Sequence, residues 1–174
     1  MAKRLCLFVL ALFVWRLACA DVHFRHFEED DEPQWQEAET SLPAFPKDED
    51  LLEFYVSAGT SNHFYIDGKS ISPGTDGVVR FTLVIKTAGG ATNVSFEGIR
   101  CGASGAQESR YYATGSNGAW VKARNSAWKP IENKPVNGYY AALSRNYFCP
   151  STLPIQSAEE GRDALRRGRH PNAR

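Results

Sequence analysis

Cys101 and Cys149 are the only cysteines beyond residue 20, and His63 is the only histidine between residues 51 and 150. Cysteine and histidine together can supply a nucleophile and its base, provided the thiol is partly exposed and an electropositive setting lowers its pKa. Arg100, next to Cys101, would contribute such charge. The competing chemistry is a disulfide between Cys101 and Cys149, and the compartment decides between the two. There is no CxxC motif, so a thioredoxin-like redox role lacks its spacing.

His23 and His26, followed at once by "EEDDE", combine imidazoles with carboxylates in a manner suited to zinc or copper. A leader without a packed element would preorganise neither histidine, so a solvated acidic segment is the plainer expectation. Among the carboxylates, Asp67-Gly68 and Asp76-Gly77 read as turns, while Glu97 alternates with Phe96 and is expected to face solvent or a cross-strand cation. Gly-x-Ser-x-Gly, a lysine-bearing phosphate loop and HExxH are all missing. No catalytic set or cofactor emerges.

The stretch "SRYYATGSNGAWVKARNSAWKPI" is different, because Tyr111, Tyr112, Trp120 and Trp128 interleave with Arg110, Lys122, Arg124 and Lys129. Aromatic rings beside cations stack on flat ligands and pair with anions. On a strand, Trp120, Lys122 and Arg124 share one face, expected outward, with Val121 and Ala123 inward. Tyr112, Trp120, Lys122, Arg124 and Trp128 are thus the candidate ligand-binding residues. The bland reading is a solvated sheet face with a partly covered aromatic.

These residues must be positioned by strands. "VVRFTLVIKT" alternates Val79, Phe81, Leu83 and Ile85 with Arg80, Thr82 and Lys86. "LLEFYVS", "HFYIDG", "TNVSFEGIRC", "SRYYATG" and "AWVKAR" follow the same rule, separated by Asp-Gly, Gly-Gly and Asn-Gly turns. Strand–helix–strand alternation is nowhere seen, so the expectation is an α+β domain built on an antiparallel meander of five to seven strands. One helix is expected over residues 137–149, where Tyr139, Leu143 and Tyr147 recur at helical spacing and Pro150 closes the run.

The chain starts with Lys3-Arg4, an apolar run from Leu5 to Trp15, and Ala18-Cys19-Ala20. That order is a secretory signal peptide over residues 1–20, too short to cross a bilayer as a helix. Cleavage after Ala20 is favoured; a lipid anchor on Cys19 is the minority alternative, because Arg16 interrupts the apolar approach to it. Export to the periplasm or beyond places Cys101 and Cys149 in an oxidising compartment, where two cysteines most often pair. Closing that loop is worth roughly 4 kcal/mol in the loop-entropy model. A disulfide would pin the helix to the sheet.

The formal net charge of zero conceals an uneven distribution. Residues 21–50 form an acidic, mostly extended leader, on which Trp35, Leu42 and Phe45 can still dock individually. Residues 54–150 carry ten Lys and Arg against five Asp and Glu, and residues 151–174 read as a basic, mostly disordered tail. Ser157 and Glu160 have a helix-start pattern, yet Leu165 is that helix's single large apolar residue. The acidic leader is complementary to the basic body and can cover it in cis.

"LPAFP", "LLEFYVSAGTSNHFYIDGKSIS", "GVVRFTLVIKTAGGATNVSFEGIRC" and "NYFCP" resemble the CNP-one-like family over residues 35–150. The resemblance implies a bacterial exported protein and brings no catalytic residues with it. The function expected is a non-catalytic envelope binding module with a basic aromatic face. Its partner would be an envelope protein or an anionic glycan or lipid, and nucleic acid is a poor partner for an exported chain. The alternative is an enzyme using Cys101 with His63, or a metal at His23 and His26.

Overall fold

The computed structural model describes residues 34–102, 107–132, 134 and 138–173. Strands Leu51–Phe54 (β1), His63–Asp67 (β2), Ser72–Pro73 (β3), Val78–Lys86 (β4), Thr92–Arg100 (β5), Glu108–Ser116 (β6), Ala119–Lys122 (β7) and Lys129–Pro130 (β8) form one antiparallel sheet. The main path is β1-β2-β4-β5-β6-β7, with the two-residue β3 and β8 on β4 and β6. Asn117 and Gly118, with φ of 50° and 75°, make the tight β6–β7 turn that the Asn-Gly pair predicts. A bulge between Phe96 and Glu97 places Tyr112 as the extra residue of β6.

The apolar face of the sheet carries Phe54, Phe64, Ile66, Phe81, Leu83 and Ile99. Helix Gly138–Leu143 (α1) covers it and continues as a π turn, Ser144–Phe148. The added residue in that turn lets Leu143, Tyr147 and Phe148 all lie buried, rather than one stripe of a regular helix. Cys101 at the end of β5 is bonded to Cys149 after the π turn, with Cα atoms 5.5 Å apart. The staple ties helix to sheet as expected, and Cys101 is no free thiol.

Residues 151–173 differ from the disordered tail expected. Helix Ala158–Arg166 (α2) begins at Ser157, whose hydroxyl accepts the Glu160 amide at 3.1 Å. Its second contact surface is small rather than large. A Cβ on Gly161 would fall 2.7 Å from Ile155 and 3.2 Å from Ile71, so the bare backbone seats directly on those side chains. Leu165 is buried, and buried His170 bonds Glu160 at 2.9 Å while its amide reaches the Asn146 carbonyl. A helix with one large apolar residue is held because glycine permits close approach and a histidine bolts its end.

No helix among the described residues is long and apolar enough to cross a membrane. The signal peptide expected over residues 1–20, Cys19, His23 and His26 lie outside the described residues.

Candidate functional site: a carboxylate-centred cluster on the second face of the sheet

The other face of the sheet holds Arg80 and Thr82 on β4, Phe96 and Gly98 on β5, Arg110 and Tyr112 on β6, and Trp120 on β7. Alternation alone makes it a solvent face, yet Arg80 is 6% exposed and Thr82 fully buried. Residues 35–47, which contain neither helix nor strand, lie across it as a strap. The strap holds on by side chains at three points.

Glu37 is the central one. Its carboxylate accepts from the Arg110 guanidinium, the Tyr112 hydroxyl, the Trp128 indole N–H at 3.0 Å and Arg80 Nη2 at 3.4 Å. Four donors from β4, β6 and the segment before β8 therefore converge on one carboxyl, 15% exposed as a side chain. Arg80 also pairs with Asp76 at 2.6 Å, and Asp76 accepts the Ala38 amide of the strap at 2.9 Å. Burial pushes the Asp76 carboxyl up, but its bonds from Arg80, Ala38 and Val78 outweigh this and hold it below the usual value. Tyr112 is pushed well up, first by burial and then by donating to Glu37. It stays a protonated donor.

Trp35 is the second point. Its indole donates to the Asp76 carbonyl at 2.8 Å, its ring meets Trp128 edge-on at 5.7 Å, and Arg100 lies over it at 4.2 Å. Arg100 is itself paired with Glu108 across β5 and β6. The third point is Phe45, whose ring packs on Trp120 at 5.2 Å while the Trp120 indole donates to the Pro43 carbonyl at 2.8 Å. Gly115 makes this slot: a Cβ there would stand 2.8 Å from Phe45.

Of the residues singled out in the sequence, Tyr112, Trp120 and Trp128 come together here. Lys122 and Arg124 are exposed and form no ion pair among the described residues. The expected orientation of β7 is reversed: Trp120 is on the covered face, and Val121 is the residue left 54% exposed. The strap causes this, since it covers the side that strand alternation alone assigns to solvent. Glu37 and Arg80 were not legible as site residues. The available signal was Arg80 itself, a cation inside a nine-residue strand otherwise made almost wholly of apolar residues and threonine.

Two further expectations change. Glu97 is neither solvent-facing nor paired with a cation, but 1% exposed on the helix side of β5. His63 pairs with Glu53 at 2.8 Å in an exposed setting beside the β1–β2 connection, and Cys101 has a disulfide partner.

Chemically, the strap-side cluster is a set of cations and hydrogen-bond donors closed by carboxylates. Three arginines, Arg80, Arg100 and Arg110, face three carboxylates, Glu37, Asp76 and Glu108, and only Glu37 comes from the strap. Without it, the sheet would present an excess cation ringed by Tyr112, Trp120 and Trp128, with Lys122 and Arg124 alongside.

Comparison with known proteins agrees with the resemblance read from the sequence. No solved structure matches the chain. It is 30% identical over 138 residues to cryptic neisserial protein 1 of Neisseria gonorrhoeae (strain ATCC 700825 / FA 1090), covering 71% of this chain and 68% of that protein. The CNP1-like family matches residues 30–166, a span that includes the strap, the whole sheet, both helices and the disulfide. The chain belongs to the CNP1-like family.

Proposed function

We propose that the protein is exported to the cell envelope and acts by binding rather than catalysis, its basic aromatic face taking an extended acidic segment of a partner protein. The observation supporting this is the fourfold coordination of Glu37. A sheet face that gathers two guanidiniums, a phenol and an indole around one carboxylate is selective for that group, because charge-assisted donors in a fixed fork match its geometry. The strap supports a further requirement: an aromatic two residues before the carboxylate and another farther along, on a segment with neither helix nor strand. An acidic polypeptide meets those demands better than a glycan or lipid headgroup, which offers the charge without the two aromatic side chains. In the free protein the strap fills the site, and a partner competes with it.

The test uses a fluorescent peptide of residues 34–46 added to the full exported chain and to its Glu37→Gln variant. The variant should bind at least about tenfold more tightly, because losing a charge-assisted bond weakens the strap by roughly 1.5–3 kcal/mol and each 1.4 kcal/mol is a factor of ten. A peptide with glutamine in place of its first glutamate should lose at least as much, and added salt should weaken binding. Should Glu37→Gln lose its circular dichroism signature, Trp35→Ala serves the same purpose. Equal binding to both proteins, or indifference to the peptide's glutamate, would overturn the reading.

A further inference from the structure

Away from the receptor, between the sheet and α1, lies a buried acid with no counter-charge. Glu97 projects from the middle of β5 toward the helical layer. The Ser95 hydroxyl donates to Oε1 at 2.6 Å, and Oε2 is buried without a hydrogen-bond partner. The groups that face it from each neighbouring element are Phe81 of β4 and Tyr111 of β6, its two cross-strand partners, and Tyr139 and Tyr140 of α1. None of them is cationic. An ionised carboxylate here has lost its water and gained two hydroxyl contacts at most, whereas the protonated acid is tolerated in the same space.

We propose that Glu97 is a proton-binding site that sets the position of α1: the helix lies shut on the sheet while the carboxyl is protonated, and lifts when it ionises. The structure supplies a pivot. The π turn after α1 is bolted at its far end by the Cys101–Cys149 disulfide, by the Cys149 amide on the Ser144 carbonyl at 3.0 Å, and by Phe148 against Phe81 at 5.2 Å. The near end is held by ring contacts that can separate, chief among them Tyr139 against Phe64 at 5.9 Å. Lifting α1 therefore hydrates the carboxylate without unravelling the sheet, and it bares Phe64 and Leu143.

The pH range follows from the burial. Desolvation pushes the Glu97 carboxyl up from 4.5 to about 7, against the opposing bonds from Ser95 and Tyr140. In the lifted state the group is in water and returns toward its ordinary value. The closed state is then favoured below the ordinary value, and the advantage is lost as pH rises toward 7. An exported protein meets the pH of its surroundings directly, so the switch would respond to external acidity.

Hydrogen exchange of the amides of residues 141–147 in the full chain tests this. After correction for intrinsic rates, exchange should quicken on the order of 50-fold between about pH 5 and pH 8, as linkage with those two pKa values requires. Glu97→Gln, which is neutral and nearly the same shape, should exchange slowly and show no such rise. If that variant fails to fold, carboxyl carbon NMR of the wild-type chain decides. Titration of Glu97 near pH 7, with α1 amide shifts sharing its midpoint, supports the proposal. Titration below pH 5, or equal pH dependence of exchange in wild type and variant, would overturn it.

Discussion

Replacing Arg80 with alanine should cost the domain about 3–5 kcal/mol, a large part of the 5–15 kcal/mol typical of a folded domain. The reason is asymmetry. Arg80 is 7% exposed as a side chain, and the two carboxylates it neutralises, Asp76 and Glu37, are 3% and 15% exposed. Without the guanidinium Asp76 is left in a dry space with no cation, beside a Glu37 that keeps Arg110 but loses Arg80, and the two like charges then repel. The strap should come away first, since Ala38 and Trp35 are both held through Asp76. Urea denaturation of the full chain measures the loss. The triple variant Arg80→Met, Glu37→Gln, Asp76→Asn should recover much of it by removing the stranded charges along with their partner. If Arg80→Ala loses less than about 1 kcal/mol, the value typical of exposed pairs, the cluster is a surface pair and the strap is not seated as described. The depressed pKa of Asp76 gives the same interaction a pH signature: its contribution is present above the ordinary carboxylate value near 3.8 and is lost as pH falls through the folded-state value.

Reduction of the disulfide is the second large effect. Cys101 and Cys149 are 48 residues apart in sequence, and releasing that loop should cost roughly 4 kcal/mol through the entropy returned to the unfolded chain. The loss is not uniform across the fold. Cys149 ends the π turn, so its release frees the disulfide cross-link between the helical layer and the end of β5, while the β4–β5 and β5–β6 ladders keep their bonds. Urea melts with and without a reductant should differ by that amount. Tyr147 and Phe148 should lose protection earlier than β4. Identical melts would mean that packing alone holds the helical layer in place.

The sequence made the sheet legible because its signals are local. The alternation in β4, the Asn117-Gly118 turn and the Ser157–Glu160 cap each depend on neighbours within a few residues, and all are present as read. What remained hidden depends on contacts distant along the chain. Alternation gives the parity of a strand's residues but not which side is covered. The strap covers one side and the helical layer the other, so parity alone assigns Trp120 outward and Glu97 to solvent. Glu97 shares its parity with Ile99, and Phe96 shares its parity with Gly98, so neither face announces itself. The strap reads as a solvated acidic leader because Glu37 finds its partners 43 to 91 residues away. The last helix reads as marginal because its stability comes from a glycine pressed against Ile71 and Ile155, a contact with no local pattern. The candidate site was therefore half visible: its aromatic residues stood out as a cluster, while the carboxylate that organises them did not.

The three tryptophans beyond residue 20, Trp35, Trp120 and Trp128, each donate an indole N–H to a different contact of the strap: the Asp76 carbonyl, the Pro43 carbonyl and the Glu37 carboxylate. Their indole NMR signals thus report separately on whether the face is a receptor that its own strap occupies. The decisive measurement is a titration of the ¹⁵N-labelled full chain with unlabelled peptide of residues 34–46. The labelled Trp35 signal should move to the position of a solvent-exposed indole, while those of Trp120 and Trp128, re-engaged by the incoming peptide, should stay near their bonded positions. Three unmoved signals at saturating peptide would contradict the account, leaving the strap as a fixed part of the fold and the face as no binding site.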